Sequence, residues 1–366
     1  MKRLRVLALC HPALVPPENP ETFSEQEKNN WKTEYDVMTT LRKLGHEVRM
    51  LGAQEELSPI RDAIESWAPD IVFNLLEEFH GETLYAQNVV ALLELMRVPY
   101  TGCSPRGIVL SRGKDLSKKL LKYHRIPVPA FQVYPLGRKI KRPRSLKFPL
   151  IVKSLSEDAS RGISQNSVVD TDEELEKRVA YIHKRVKTAA IAEQYIEGRE
   201  IYVGMFGNDR RHVLPVWELS FMNPEGTRLI ATEMAKHNVD YQERRGVVHG
   251  PAEEMPAALA KRIQRMVKTI CDVLELDGYA RIDFRLSEAG VPYFIEANPN
   301  PEIAESQEFA YAAEFDGFSY PELLNRLLQL GLERAGVDID EDEEDGEEDG
   351  EDGEAEKAGD DAAGEA

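Results

Sequence analysis

Short apolar runs alternate with amphipathic stripes over the first 110 residues. The runs Arg5 to Cys10 (RVLALC), HEVRML and Asp70 to Leu76 (DIVFNLL) have the length of buried strands. Between them, Trp31, Tyr35, Met38 and Leu41 recur every three to four residues, and Gly45 marks the end of that helix. Further helices are predicted from Ser58 to Trp67 and over Leu84 to Met96. Strict alternation of strand and helix implies a parallel sheet with helices on its faces. VPYTG closes this unit near residue 111.

The pattern then changes. A helix, GKDLSKKLLKYH, leads through the Pro-punctuated IPVPAF to the run FPLIVKS. In TDEELEKRVAYIHKRV, Thr171 and Glu174 have capping-box spacing, and Leu175, Val179, Ile182 and Val186 form one stripe. AIAEQYI and EIYVGMF read as two strands joined by a tight turn at Glu197-Gly198-Arg199. Beyond them come VLPVWELS, a polar loop over residues 223 to 250, a helix over Met255 to Leu276, a hairpin of YARIDFRL and PYFIEAN turning at Ala289-Gly290, and a last helix, ELLNRLLQLGLER. The resulting division is an α/β unit at 1–111, a small unit at 112–206, an α+β unit at 207–337 and a tail at 338–366. No internal repeat is seen.

Charge matters chiefly for the tail. Of 65 acidic and 46 basic residues in the 366-residue chain, 17 acidic and one basic fall in residues 338–366, leaving 48 and 45 in a nearly neutral body. The net charge of -19 therefore says little about any pocket. The tail's composition predicts disorder, because it offers almost no apolar surface to offset the entropy of ordering. Cys10, Cys103 and Cys271 match no zinc or redox spacing and suit a reducing compartment. In MKRLRVLALC, His11 ends the apolar run too early for a secretory leader, so a buried first strand is expected. No run reaches the length of a membrane span. These features predict a cytoplasmic protein with no membrane or nucleic-acid partner.

Chemistry concentrates in three places. If the last hairpin turns at Ala289-Gly290, Asp283 lies opposite Glu296 and Arg281 opposite Asn298, with all four side chains on one face. Facing carboxylates repel unless a cation separates them, and such oxygen donors suit Mg²⁺ beside phosphate. A solvated sheet face with an Arg-Asp pair fits the same pattern. Lys153 ends an apolar strand and enters SLSEDASRG, whose small residues could present N–H groups to phosphate or simply form a surface turn. Glu193 and Glu200 bracket the turn in AEQYIEGREIYV, which could read a nucleotide or be an exposed hairpin.

Taken in order, FNLLEEFHGETLYAQNVVALLELMRVPYTG, GKDLSKKLL, FPLIVKS, IAEQYIEGREIYVG, GYARIDFRL and FIEANPNP resemble the D-alanine–D-alanine ligase branch of the ATP-grasp superfamily, over roughly residues 70 to 335. The resemblance implies an ATP-grasp fold: an N-terminal parallel α/β pre-domain, a central lid and a C-terminal α+β domain. It implies that Lys114, Lys153 and Lys236 contact ATP phosphates, with Ser160 and Gly162 in the phosphate loop. Glu193 and the backbone at Tyr195 and Ile196 would hold adenine, Glu200 the ribose, and Ile295 would pack under the base. Asp283, Glu296 and Asn298 would hold two Mg²⁺ ions, with Mn²⁺ as an alternative metal, and Arg281 would steady the transferred phosphoryl group. The implied partners are a small carboxylate and an amine, amino acid or peptide, and a homodimer is one assembly it allows.

The substrate side departs from the family. Its Gly-rich loop and glutamate after the first strand are replaced by CHPALVPPENPETFSEQE. Ala159 stands for a serine, His237 for a tyrosine, PEI for PGM and Gln307 for another serine. Glu302, Glu305 or the acidic loop after Pro16 could receive an ammonium differently. The expectation is a carboxylate-amine ligase working through an acyl phosphate with an altered substrate pocket. A genuine D-alanine–D-alanine ligase and an ATP-grasp phosphotransferase are the alternatives, and an idle nucleotide binder is disfavoured by the full set of metal-binding residues.

Overall fold

The computed structural model describes residues 2–18, 22–156, 164–223, 241 and 244–337. Ser160, Gly162, Lys236, Ala159, His237 and the acidic tail lie outside the described residues.

Strand β1 (Arg5–Cys10) pairs in parallel with β2 (Glu47–Gly52) on one side and β3 (Ile71–Asn74) on the other. Its alternate side chains serve two cores. Val6, Ala8 and Cys10 pack with Val37, Met38 and Leu41 of α2 (Lys32–Lys43), whereas Leu7 and Leu9 meet Ile60, Ile64 and Trp67 of α3 (Ser58–Trp67). A parallel strand buried on both faces needs such a continuous apolar run. The helix expected around Trp31 is two helices, because Trp31 leaves helical geometry (φ -119°, ψ 25°) between α1 (Glu25–Asn30) and α2. Helix α4 (Ala86–Leu95) completes the unit, and two further helices follow, α5 (Pro105–Arg112), which sequence reasoning missed, and α6 (Lys114–Tyr123).

The central unit is an antiparallel sheet in the order β4-β7-β5-β6, comprising β4 (Phe131–Tyr134), β5 (Leu150–Ser154), β6 (Val168–Val169) and β7 (Ala190–Gln194). Helix α7 (Asp172–Tyr181) seals it through Leu175 and Val179. Only half of the expected capping box forms. Thr171 accepts the Glu174 N–H at 3.2 Å, but the Glu174 carboxylate takes the Asp170 N–H at 2.8 Å.

One sequence expectation is corrected here. β7 and β8 (Gly198–Phe206) are not a hairpin: β8 lies in a second antiparallel sheet, ordered β11-β10-β8-β12-β13, with β9 (His212–Val213) against β8. Residues 195–197 therefore cross between sheets, and residues 198–206, expected with the lid, belong to the C-terminal sheet. Gly198 makes the crossing feasible, since its φ is +134° and a Cβ there would lie 2.0 Å from the Leu286 carbonyl oxygen. The sheet is completed by β10 (Trp217–Phe221), β11 (Val247–Pro251), which falls in the expected loop, β12 (Tyr279–Ser287) and β13 (Pro292–Asn298). Helix α8 (Ala257–Val273) covers one face, and α9 (Glu308–Phe315) and α10 (Tyr320–Arg334) pack on the other. All three cysteines are buried free thiols. Among the described residues no helix is long and apolar enough to cross a membrane.

Candidate active site

The β12–β13 register sets the centre of the site. Asp283 pairs with Glu296 and Arg281 with Asn298. Arg281 grips Asp283 with a two-pronged contact, Nε to Oδ1 at 2.8 Å and Nη2 to Oδ2 at 3.0 Å, and its guanidinium lies 4.9 Å above the Tyr202 ring. Asn298 is oriented through its Oδ1, which accepts the Asn300 N–H at 3.0 Å. From the start of α6, buried Lys114 reaches to 3.8 Å from Glu296. A cavity of about 180 Å³ opens on this face, lined by Lys114, Arg112, Tyr202, Arg281, Glu296 and Asn298.

Asp283, Glu296 and Asn298 present hard oxygens from adjacent strands, a donor set that fits Mg²⁺. No cluster of three or more His, Cys, Asp or Glu side chains placed to hold a metal occurs among the described residues. A cation here would therefore need Asn298 and ligand oxygens as well as the two carboxylates.

The register slips by one residue after Asp283, so that Phe284 faces Phe294 and Ile295 is left over. Such a bulge takes a carbonyl out of the ladder. Lys118 donates its ammonium to the Ile295 carbonyl oxygen. The same ammonium lies 3.1 Å from Glu193, whose other oxygen lies 3.3 Å from Lys153. Glu193, on β7, and Lys153, on β5, are brought together because Ile151 pairs with Glu193. All three side chains are buried. Burial pushes the Lys118 ammonium down to about 8 against the pull of Glu193. Burial opposes ionisation of Glu193 too, but Lys118 and Lys153 outweigh it and hold the carboxyl below its usual range. Lys118 and Glu193 are thus both charged near neutrality.

Lys118 escaped the sequence reading although a signal existed. Lys114, Ser117, Lys118 and Leu121 form the buried stripe of α6, and a lysine on a buried stripe needs a partner.

At the crossing between sheets, Arg285 of β12 donates to the Ile196 carbonyl oxygen at 3.1 Å, to the Tyr195 hydroxyl at 3.4 Å and to Glu200 at 3.3 Å. Tyr202 donates its hydroxyl to the other Glu200 oxygen at 2.9 Å. The Tyr195 N–H is taken by the Pro149 carbonyl at 2.9 Å. Tyr195, Ile196 and Glu200 are therefore assembled around one arginine, which sequence reasoning also missed. Beside Arg281, burial acts against ionisation of Glu308, but His249 at 2.9 Å and Arg281 prevail and hold its carboxyl down at about 2.

Residues 120–329 match the family described as D-ala D-ala ligase C-terminus. The chain belongs to the D-alanine–D-alanine ligase family. It is 30% identical over 310 residues to an uncharacterised protein, y4sG, of Sinorhizobium fredii, covering 81% of this chain and 87% of the relative. It is 28% identical over 305 residues to the D-alanine–D-alanine ligase of Aquifex aeolicus, covering 83% and 96% of the two chains. The fold matches that of the Bacillus anthracis D-alanine–D-alanine ligase solved with ATP, with a TM-score of 0.70 at 20% identity over 91% of this chain and 99% of that one. The ATP-grasp fold expected from the sequence is the fold observed, and membership of this family makes the protein an ATP-grasp ligase, a former of carbon–nitrogen bonds.

Proposed function

We propose that the protein joins a carboxylate to an amine at the expense of ATP, through an acyl phosphate, with substrates other than two D-alanines. The observation that carries this reading is the convergence of Arg281, Asp283, Glu296 and Asn298 on one face, with Lys114 reaching the same cavity. That arrangement suits a phosphoryl group in transit.

In the first step a substrate carboxylate oxygen attacks the γ-phosphorus and the bond to the β-bridging oxygen breaks, giving acyl phosphate and ADP. Arg281 would meet the charge on the transferring group, and Lys114 and Lys153 would hold the phosphates. In the second step the amine nitrogen attacks the acyl carbon, phosphate leaves and the amine gives up a proton. Mg²⁺ held by Asp283, Glu296 and Asn298 would supply charge neutralisation at the phosphate oxygens, and Mn²⁺ could take the same donors. Glu193 positions Lys118 and Lys153. Closure of the lid over the nucleotide would keep water from the acyl phosphate.

The altered substrate side supports a non-alanine pair. The chain after β1 lacks the glutamate motif that the resemblance implies, and Gln307 lines the Arg281 cavity at a position where the resemblance implies serine. Incubating the full chain with ATP, Mg²⁺ and a metabolite pool, read by mass spectrometry, tests the reading. An amide with ADP and phosphate supports it. A stable phosphate ester would instead make the protein a phosphotransferase, and efficient D-alanyl-D-alanine formation would overturn the altered pocket.

A further inference from the structure

Beside the Arg281 cavity lies a second one of about 370 Å³, at the ends of β1 and β3 and under α2. Four carboxylates line it: Glu34 from α2, Glu77 and Glu78 from the segment after β3, and Glu302 from the segment after β13. No lysine or arginine is among its described lining residues, and His11 is the sole imidazole there. Glu302 lines both cavities and so joins this space to the site of phosphoryl transfer.

Glu34 is the unusual member. Its residue is only 4% exposed, yet it projects into the cavity from the buried stripe of α2. Among the described residues its carboxylate meets no cation, and the single hydrogen bond it receives comes from its own backbone N–H. A carboxylate so deeply buried and facing a cavity without a counter-charge is expensive unless a ligand supplies the charge. Glu302, by contrast, is open to the cavity and accepts a hydrogen bond from Thr33.

We propose that this cavity holds a protonated amino group of the substrate, and that the substrate is a compound of net positive charge, a diamine or a basic amino acid, rather than a plain zwitterion. A zwitterion placed here would need a cation for its own carboxylate, and the described wall offers four negative groups instead. A substrate with a second ammonium satisfies Glu34 and Glu302 while its reacting group points toward Arg281. Burial, with Glu77 and Glu302 adding to it, pushes Glu34 up to about 7, which fits a carboxylate that lacks its counter-charge. The inference takes the position of the reacting group from the ligase reading.

Calorimetry on the full chain tests it, with Mg²⁺ and a non-hydrolysable ATP analogue present, at pH 8, using 1,4-diaminobutane, lysine and D-alanine as probes. At least one of the two cationic probes is expected to bind ten or more times tighter than D-alanine, and the tighter of the two tells a diamine site from a basic amino acid site. Glu34→Gln is expected to weaken that binding at least tenfold and to leave nucleotide affinity unchanged. If Glu34→Gln does not fold, Glu302→Gln, at a position open to the cavity, should give the same loss. The proposal is overturned if D-alanine binds as tightly as both cations, if neither cation binds to protein that binds the nucleotide, or if the folded variant binds cations normally. Tight, Glu34-dependent cation binding without any ATP-dependent amide would sink the ligase reading and leave the cation site standing.

Discussion

Glu34→Gln should make the ligand-free protein more stable, by an amount that grows as pH rises from about 4.5 to 7. Burial first, and then the charges of Glu77 and Glu302, raise the Glu34 carboxyl from 4.5 to about 7. The folded state therefore holds this proton between about pH 4.5 and 7, whereas the unfolded chain has released it. Stability contributed by the protonated group is present in acid, falls as pH rises through that window and is lost above 7. At about 1.4 kcal/mol per pH unit, the displacement amounts to about 3 kcal/mol of destabilisation at pH 8. Relaxation and water in the cavity reduce this, so a gain of about 1.5 to 3 kcal/mol is expected from the neutral isostere. With an unfolding entropy of about 2 cal/mol/K per residue, that is a rise in Tm of roughly 2 to 4 °C. Scanning calorimetry at pH 5 and pH 8 decides it. An equal rise at both values, or none at pH 8, would refute the reasoning. A gain in stability paired with weaker ligand binding is the signature of a residue retained for function.

Glu296→Gln and Asp283→Asn should each abolish turnover in a folded protein, because each removes charge from the donor set beside a polyanion; near-normal activity in either, with circular dichroism unchanged, would remove the metal assignment. Lys153→Ala is expected to weaken ATP binding by about 1.5 to 3 kcal/mol, the range for a charged hydrogen bond, and unchanged affinity by calorimetry would count against a phosphate contact. Lys118→Met should cost about 3 to 5 kcal/mol of folding stability by leaving Glu193 buried with one cation in place of two; an unshifted urea midpoint would show that Glu193 does not depend on Lys118. D-alanine as sole substrate should release phosphate far more slowly than the best member of a panel of amino acids, dipeptides and diamines, and a rate matching that member would overturn the altered pocket.

The parts of the site that follow from strand geometry were legible in the sequence. A side-chain period of two and an expected turn at Ala289-Gly290 place Asp283 against Glu296 and Arg281 against Asn298, and the observed register has both pairs, although it reaches them through a turn that pairs Leu286 with Pro292 and a one-residue slip between Phe284 and Asp283. The bulge at Ile295 was not legible, since nothing in YFIEAN distinguishes a regular ladder from one with a residue left over. The crossing at Gly198 was misread for a related reason. Apolar strands either side of Glu-Gly-Arg look alike whether the chain turns back in one sheet or passes to the next. What separates the cases is long-range: the Leu286 carbonyl, 2.0 Å from where a Cβ of residue 198 would lie. Glu34 and Lys118 share a signal that could have been used. Glu34 stands three residues after Trp31 and four before Met38, and Lys118 four after Lys114 and three before Leu121, so each places a charge on its helix's buried stripe.

The distribution of these residues bears on how freely each half of the proposed site can change. The groups proposed to face the nucleotide come from β5, β7, α6 and the β12–β13 hairpin, and they are cross-braced: Glu193 to two lysines, Lys118 to the Ile295 carbonyl, Arg285 to Ile196 and Glu200. Changing one of them leaves a buried charge without its partner, which costs several kcal/mol. The groups facing the acid-lined cavity come from α2 and from the segments after β3 and β13, and there Glu34 has no such brace. Replacing one of these alters what the cavity accepts at little cost to the fold, and can even stabilise it. On the proposed reading, substrate choice can thus change on the N-terminal unit without disturbing the face that would carry phosphoryl transfer.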